Sequence, residues 1–399
     1  MKQTPMILDG GSGACLIQAG MPAGVCPEKW ALDNPAALTQ LQQNYVAAGS
    51  DAVYSFTFGG NAVKLAAHGL EGECERLNEE LVKLSKNAVG SAALVGGDIG
   101  PTGLLPKPFG DADFDALYSV FAQQAKALER GGADFIAVET MMSLTEVKAA
   151  VLAAKASTDL PVYASITCGS NGRTLTGCAP SAALVTLQAN GADAFGLNCS
   201  LPPEQMYALF PELIKLAKIP LTAKPNGEYP DSDGVRHSVA PEAFAADMKR
   251  LAELGVAAMG GCCGSTPEHI SALSAAVCDV EIETAQGEGE YLALERQIYP
   301  LPSAEELAAC GVYSAMSLLD AVDAGEKIIR VRIDSPSDAE TLSDMLLYAN
   351  APVSVVASDV ESALRAAGIC PARFLLDPSG TVSSQEAAQL TRRLFAAIA

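Results

Sequence analysis

The sequence predicts a (β/α)8 TIM barrel carrying a small C-terminal α/β appendage. Three observations point there. A short apolar run followed by an alanine- and leucine-rich helical stretch recurs eight times in the first two-thirds of the chain. Four of the returns read as near copies: AAGSDAVYS, RGGADFIAV, ANGADAFGL and ELGVAAMGG. The eight units together take about 270 residues, close to the usual ~250 of a closed barrel of this kind.

The predicted strands are Met6–Leu8, Ala52–Ser55, Ala93–Gly96, Phe135–Val138, Val162–Ile166, Ala194–Leu197, Leu221–Ala223 and Val256–Met259. Helices are expected at Pro35–Ala48, Phe114–Arg130, Leu144–Ala156, Ala179–Asn190, Pro203–Ala217 and Pro241–Leu254. Gly49, Gly131, Gly191 and Gly255 stand where helices should stop. A doubly wound open sheet is the rival architecture. It needs a phosphate-binding GxGxxG after its first strand, and DGGSGA is not that pattern. Residues 1–280 are therefore assigned to the barrel. Residues 281–303, acidic and polar, read as a linker or an excursion over the barrel surface. Residues 304–399 read as a small α/β unit with strands Ile328–Ile333, Val353–Ala357 and Phe374–Leu376 and helices near Ala339–Tyr348, Val360–Ala367 and Gln385–Ala397. That unit shows no catalytic constellation.

Composition limits the function. The 399 residues include 26 Lys and Arg against 47 Asp and Glu, a net charge of −21. Such a surface repels phosphate backbones and anionic lipid, so neither nucleic acid nor membrane is an expected partner. With 49% hydrophobic and 18% charged residues, the chain has the material for a large core. No apolar targeting segment follows a basic start, and no run reaches spanning length, so a cytoplasmic location is expected. Eleven cysteines, an odd number spread over a long chain, argue for reduced thiols rather than a disulfide framework.

In such barrels the chemistry sits where strands end. The ends carry, in order, Asp9-Gly10-Gly11, Thr57 to Asn61, Asp98, Glu139-Thr140, Thr167-Cys168, Asn198-Cys199, Lys224-Pro225-Asn226 and the run GGCCG with Cys262 and Cys263. The sixth and eighth strand ends can face one another, bringing Cys199 to the Cys262–Cys263 pair. Adjacent residues of a regular strand point to opposite faces, so the strand must stop for both thiols to converge. Gly260, Gly261 and Gly264 allow that turn. Three converging thiolates form a zinc site with a fourth position open. Burial as ordinary core cysteines is the plainer explanation for Cys15, Cys26, Cys74, Cys178, Cys278, Cys310 and Cys370, and the favoured one for Cys168. A lone lysine such as Lys224 could form a Schiff base, but the cysteines beside it argue against that. Zinc on three thiolates is a weak acid for activating water and suits a soft ligand. A thiol in the open position would be held as thiolate. The residues thus point to a thiol substrate and S-alkylation, with the held thiolate as nucleophile and no separate protein nucleophile.

The motifs ILDGGSG, FTFGGN, GDIGPTG, AVETM, NGRTLTG, GLNCS, KPNGEYP and GGCCGSTPEHI together resemble the homocysteine S-methyltransferase family, over roughly residues 3–275. The resemblance lies nearest the homocysteine-binding barrel of the cobalamin-dependent branch. It implies zinc on Cys199, Cys262 and Cys263, with homocysteine as substrate and methionine as product. It further implies substrate contacts at Asp9, Gly10, Gly11, Thr57, Glu139 and Asn226. Asp98 and Asn198, at neighbouring strand ends, complete the candidate set. Each of these polar residues could instead only cap a turn or a helix start. No DxHxxG corrinoid-ligating pattern is present. The tail faintly resembles a fragment of a pterin-binding barrel but is too short to close one. The methyl donor is therefore expected from outside, as a methylcorrinoid (methylcobalamin) on a separate protein. The alternatives are a small sulfonium such as S-methylmethionine, or a non-catalytic thiol-binding or corrinoid-docking scaffold.

Overall fold

The computed structural model describes residues 4–230, 233–283, 287–377, 380–382 and 397–398. Strands β1 (Met6–Ile7), β2 (Ala52–Tyr54), β3 (Leu94–Ile99), β4 (Phe135–Met141), β5 (Val162–Ile166), β6 (Ala194–Asn198) and β7 (Leu221–Lys224) follow the predicted order. A hairpin of β8 (Glu228–Pro230) and β9 (Arg236–Ser238) comes next, and β10 (Ala258–Met259) is the eighth barrel strand. These eight pair in parallel, in the order β1-β10-β7-β6-β5-β4-β3-β2. The expected TIM barrel is thus present, nearly closed. Side chains stitch the seam between β1 and β2. Asp51 N–H donates to Ile7 O and Asp51 Oδ2 accepts from Ile7 N–H, both at 2.7 Å, while Asp9 Oδ2 accepts Tyr54 N–H at 2.8 Å.

The helices depart little from expectation, with one exception. The stretch expected as one helix over Pro203–Ala217 is two, Pro203–Tyr207 and Phe210–Leu216. Pro211 lacks the N–H that would reach the Tyr207 carbonyl, so the helix ends there and restarts. The strands move more at their C-terminal ends. β3 and β4 each run three residues beyond the predicted stop, because the chain stays paired up to the mouth of the barrel.

Residues 281–303, expected as a linker or a surface excursion, hold regular structure. They contain an antiparallel hairpin, β11 (Tyr291–Leu294) and β12 (Gln297–Pro300), with Leu292, Ala293 and Leu294 buried. A run of three consecutive apolar residues is too short to stand out beside the surrounding glutamates. Beyond the hairpin, β13 (Val312–Ser314), β14 (Ile329–Ile333), β15 (Val353–Ala357), β16 (Leu375–Leu376) and β17 (Ala397–Ile398) form a second parallel sheet with its own apolar core. β13 was not predicted. The helix expected at Gln385–Ala397 lies outside the described residues, apart from Ala397, which belongs to β17.

This C-terminal part packs on the flank of the barrel. Glu295 O accepts Ala179 N–H at 2.8 Å, and Ala293 and Arg373 exchange backbone hydrogen bonds at 2.8 and 2.9 Å. Lys148, fully buried, donates to Cys370 O at 2.6 Å. The barrel helices Leu144–Ser157 and Pro180–Ala189 are consequently buried on nearly every side, which suits their all-round apolar sequences. Among the described residues no helix is long and apolar enough to cross a membrane.

Candidate active site

The C-terminal end of β7 cradles all three candidate thiols through the backbone. Lys224 O accepts Cys199 N–H at 2.9 Å, Pro225 O accepts Cys262 N–H at 2.8 Å, and Gly227 N–H donates to Cys263 O at 2.9 Å. β10 stops at Met259, so Cys262 and Cys263 lie in a turn rather than on a strand. Gly264, at φ 76°, lets the chain leave that turn. Gly11 approaches so closely that a Cβ there would stand 2.5 Å from Cys262 O.

Cys199, at φ 63°, is held in a left-handed conformation that costs an L-residue roughly 1–2 kcal/mol. Phe56, Thr140 and Ser200 share it, all at the ends of β2, β4 and β6. Such strain concentrates where a fold serves a site. At Thr140 the brace is visible: its N–H donates to Asn198 Oδ1 at 2.7 Å, and Asn198 Nδ2 donates to its Oγ1 at 2.6 Å.

The three sulfur atoms lie within 4.8 Å of one another, with Cys199 and Cys263 at 3.8 Å. Tetrahedral ligands 2.3 Å from one zinc ion would be about 3.8 Å apart, so the donor set fits that ion. Hydrogen bonds from Cys199 and then Cys262 hold the Cys263 thiol down to about 3. Hydrogen bonds to Cys199 and Cys263, with burial, push Cys262 well up. Cys199 is lowered by Cys262 but raised more by Cys263 and burial, to about 11.

The thiols open on a cavity of about 380 Å³ lined by Asp9, Gly10, Gly11, Asp98, Glu139 and Lys224, with Tyr54, Phe56, Phe58 and Met21 as its apolar wall. Asp98 Oδ1 and Glu139 Oε2 are buried without hydrogen-bond partners. Burial, and then its neighbour Glu139, lifts the Asp98 carboxyl well above its usual range. Burial lifts Glu139 as well, against the pull of Lys224.

Eight of the eleven predicted site residues, Cys199, Cys262, Cys263, Asp9, Gly10, Gly11, Asp98 and Glu139, meet at this cavity, whereas Thr57, Asn198 and Asn226 stand behind it. Thr57 Oγ1 donates to Asp98 O and accepts Asp98 N–H, so it holds the Asp98 backbone. Asn198 braces Thr140, and its Nδ2 lies 3.9 Å from Cys262 Sγ. Asn226 N–H donates to Leu201 O within the β7 cradle. None of the three reaches the cavity wall, because neighbouring backbone takes up their polar groups or the surrounding chain buries them. Cys168 is buried in the barrel core with its thiol pushed up to about 12 by burial, away from the trio. Glu28 was missed. It lines the cavity and accepts Gly59 N–H at 2.7 Å, and nothing local in PEKWALD marks it.

A pocket built this way, with a soft-metal donor trio beside carboxylates at the mouth of a barrel, defines a class of thiol-handling enzymes. The chain belongs to the homocysteine S-methyltransferase family, whose model matches residues 6–277. The methionine synthase of Mycobacterium tuberculosis H37Rv is 30% identical over 301 residues, which cover 70% of this chain and 25% of that protein. The methionine synthase of Mycobacterium leprae is 30% identical over 297 residues, 69% of this chain and 24% of that protein. The match thus spans about a quarter of the length of these relatives. The homocysteine methyltransferase MmuM of Escherichia coli, in a structure titled as the metallated form, shares the fold with a TM-score of 0.58 at 24% identity, covering 68% of this chain and 96% of that one.

Proposed function

We propose that the chain is a zinc-dependent homocysteine S-methyltransferase forming methionine, with the methyl group delivered on a corrinoid carried by a separate protein. The observation that carries this reading is the convergence of Cys199, Cys262 and Cys263 in one wall of a cavity whose other wall presents Asp98 and Glu139. Zinc on the trio supplies a position at which a thiol gives up its proton and stays nucleophilic at neutral pH. The chain's own residues do the rest. The backbone of Lys224-Pro225-Asn226-Gly227 fixes the three thiols, and the partnerless carboxylate oxygens accept a substrate ammonium. Tyr54, Phe56 and Phe58 keep bulk water from the reacting sulfur.

The rim supports a protein-borne donor. The barrel's exposed large apolar side chains stand on the loops after β1 (Ile17, Val25), β3 (Leu104, Leu105, Phe109), β5 (Leu175) and β7 (Val235), with Leu94 the exception at the opposite end. Apolar side chains gathered around one mouth mark a docking face. The test is metal analysis of the purified chain combined with methionine assays using methylcobalamin, a methylated corrinoid protein and S-methylmethionine. About one zinc per chain and turnover with the corrinoid donors are expected. Turnover with S-methylmethionine alone would assign the small-sulfonium donor instead. Absence of zinc, or full turnover in Cys263→Ser, would overturn the zinc reading.

A further inference from the structure

Lys224 is the cation among the described side chains lining the cavity, and the reaction above assigns its side chain no task. It is buried at the end of β7, with its ammonium 3.1 Å from Asp9 Oδ1, 3.5 Å from Glu139 Oε2 and 3.4 Å from the centroid of the Tyr54 ring. Burial alone would pull its pKa down. Glu139, Tyr54 and Asp9 more than reverse that, so it stays an ammonium. Among the described side chains lining the cavity it is the one cation, facing Asp9, Glu28, Asp98 and Glu139.

An ammonium has three N–H donors. One goes to Asp9. The Tyr54 ring face attracts the charge without supplying a lone pair. The Glu139 oxygen, at 3.5 Å, is beyond ordinary N–H···O length. Donor capacity therefore remains on the cavity side. The placement is also rigid, because the carbonyl of this same residue takes the Cys199 N–H. One short piece of backbone thus sets the spacing between a cation and the thiol trio.

A thiol amino acid brings two opposite charges as well as its sulfur. Its ammonium has Asp98 Oδ1 and Glu139 Oε2 available, both buried and without hydrogen-bond partners. Of the charged side chains in this wall, only Lys224 attracts its carboxylate. Resting on the reading of the trio as a thiol site, we propose that Lys224 is a specificity-determining contact that receives the α-carboxylate of the substrate. The pocket thereby selects thiol amino acids over thiol amines.

Titration calorimetry of the zinc-loaded protein tests this with two ligands: L-homocysteine, and 3-aminopropane-1-thiol, which keeps the thiol and the amine but lacks the carboxylate. The wild type should bind homocysteine tighter by about tenfold or more. Lys224→Met should erase that preference while leaving affinity for the aminothiol and the zinc content unchanged, and Lys224→Arg should restore part of it. A preference that survives Lys224→Met overturns the proposal. So does parallel weakening of both ligands, which would make Lys224 a structural brace. A wild type that binds both ligands equally overturns it without any variant, should Lys224→Met not fold. A wild type that binds neither thiol removes the thiol-site reading itself, whereas loss of the preference alone removes only this inference.

Discussion

Asn198 shows what a single buried amide does in this site. It accepts from Thr140 N–H and Ser165 Oγ and donates to Thr140 Oγ1, and its Nδ2 lies 3.9 Å from Cys262 Sγ. It is therefore placed to orient a thiol from behind the cavity wall. Groups that orient ligands this way are commonly worth about 10–100-fold in metal affinity. Asn198→Ala should weaken zinc by about that factor in a chelator competition; unchanged affinity would mean that the brace is idle. Lys148 offers a test at a single residue far from the thiols. Burial draws its pKa down to about 8 from 10.5. The folded state releases this proton before the unfolded chain does, so Lys148 contributes stability that rises with pH across about 8 to 10.5. Denaturant midpoints of the wild type, compared with those of Lys148→Met, should show that rise only in the wild type. Neither role can be read from the residue type. A lone lysine on an apolar helix and an asparagine before a cysteine look ordinary until their neighbours are known.

At the scale of elements, the site depends on how three strand ends meet. The end of β7 and the three residues after it supply carbonyls to Cys199 and Cys262 and an N–H to Cys263, while the Gly11 backbone closes against Cys262. A methyl group at position 11 has no room. Gly11→Ala should cost about 1–3 kcal/mol of stability and lower the zinc retained after dialysis. Retention of both at wild-type levels would show that the Cys262 turn can shift freely. The run KPNG was legible in the sequence as a strand end, but its work is done by main-chain groups, which no side-chain pattern reports. The break at Pro211 was written in the residue type and follows from a missing N–H. The hairpin within 281–303 was hidden because three buried apolar residues are outnumbered by acidic neighbours.

For the whole molecule, the informative surface lies between the barrel and the C-terminal sheet. The helices Leu144–Ser157 and Pro180–Ala189 are apolar almost all round and are covered by the hairpin of β11 and β12 and by the segment that ends at Cys370. A chain ending after residue 280 would expose those faces. It should aggregate or bind a hydrophobic dye strongly, as followed by light scattering and fluorescence. A monodisperse fragment with the melting temperature of the whole chain would show that the appendage is dispensable. Residues 1–280, 281–303 and 304–399 remain our proposed division, with the hairpin serving as the joint.

By itself, the sequence determined the repeated strand–helix unit, the barrel that follows from it, and the three cysteines at facing strand ends. These are local signals: hydrophobic period, glycine stops, and residue types with few other uses at such positions. Only the tertiary structure decided which polar residues reach the cavity. Asp98, Glu139 and Lys224 line it, whereas Thr57, Asn198 and Asn226 support it from behind. The physical reason is that a strand end fixes where a residue stands but not which neighbours satisfy its hydrogen bonds. That choice is made by chain segments far apart in sequence, 215 residues for Asp9 and Lys224.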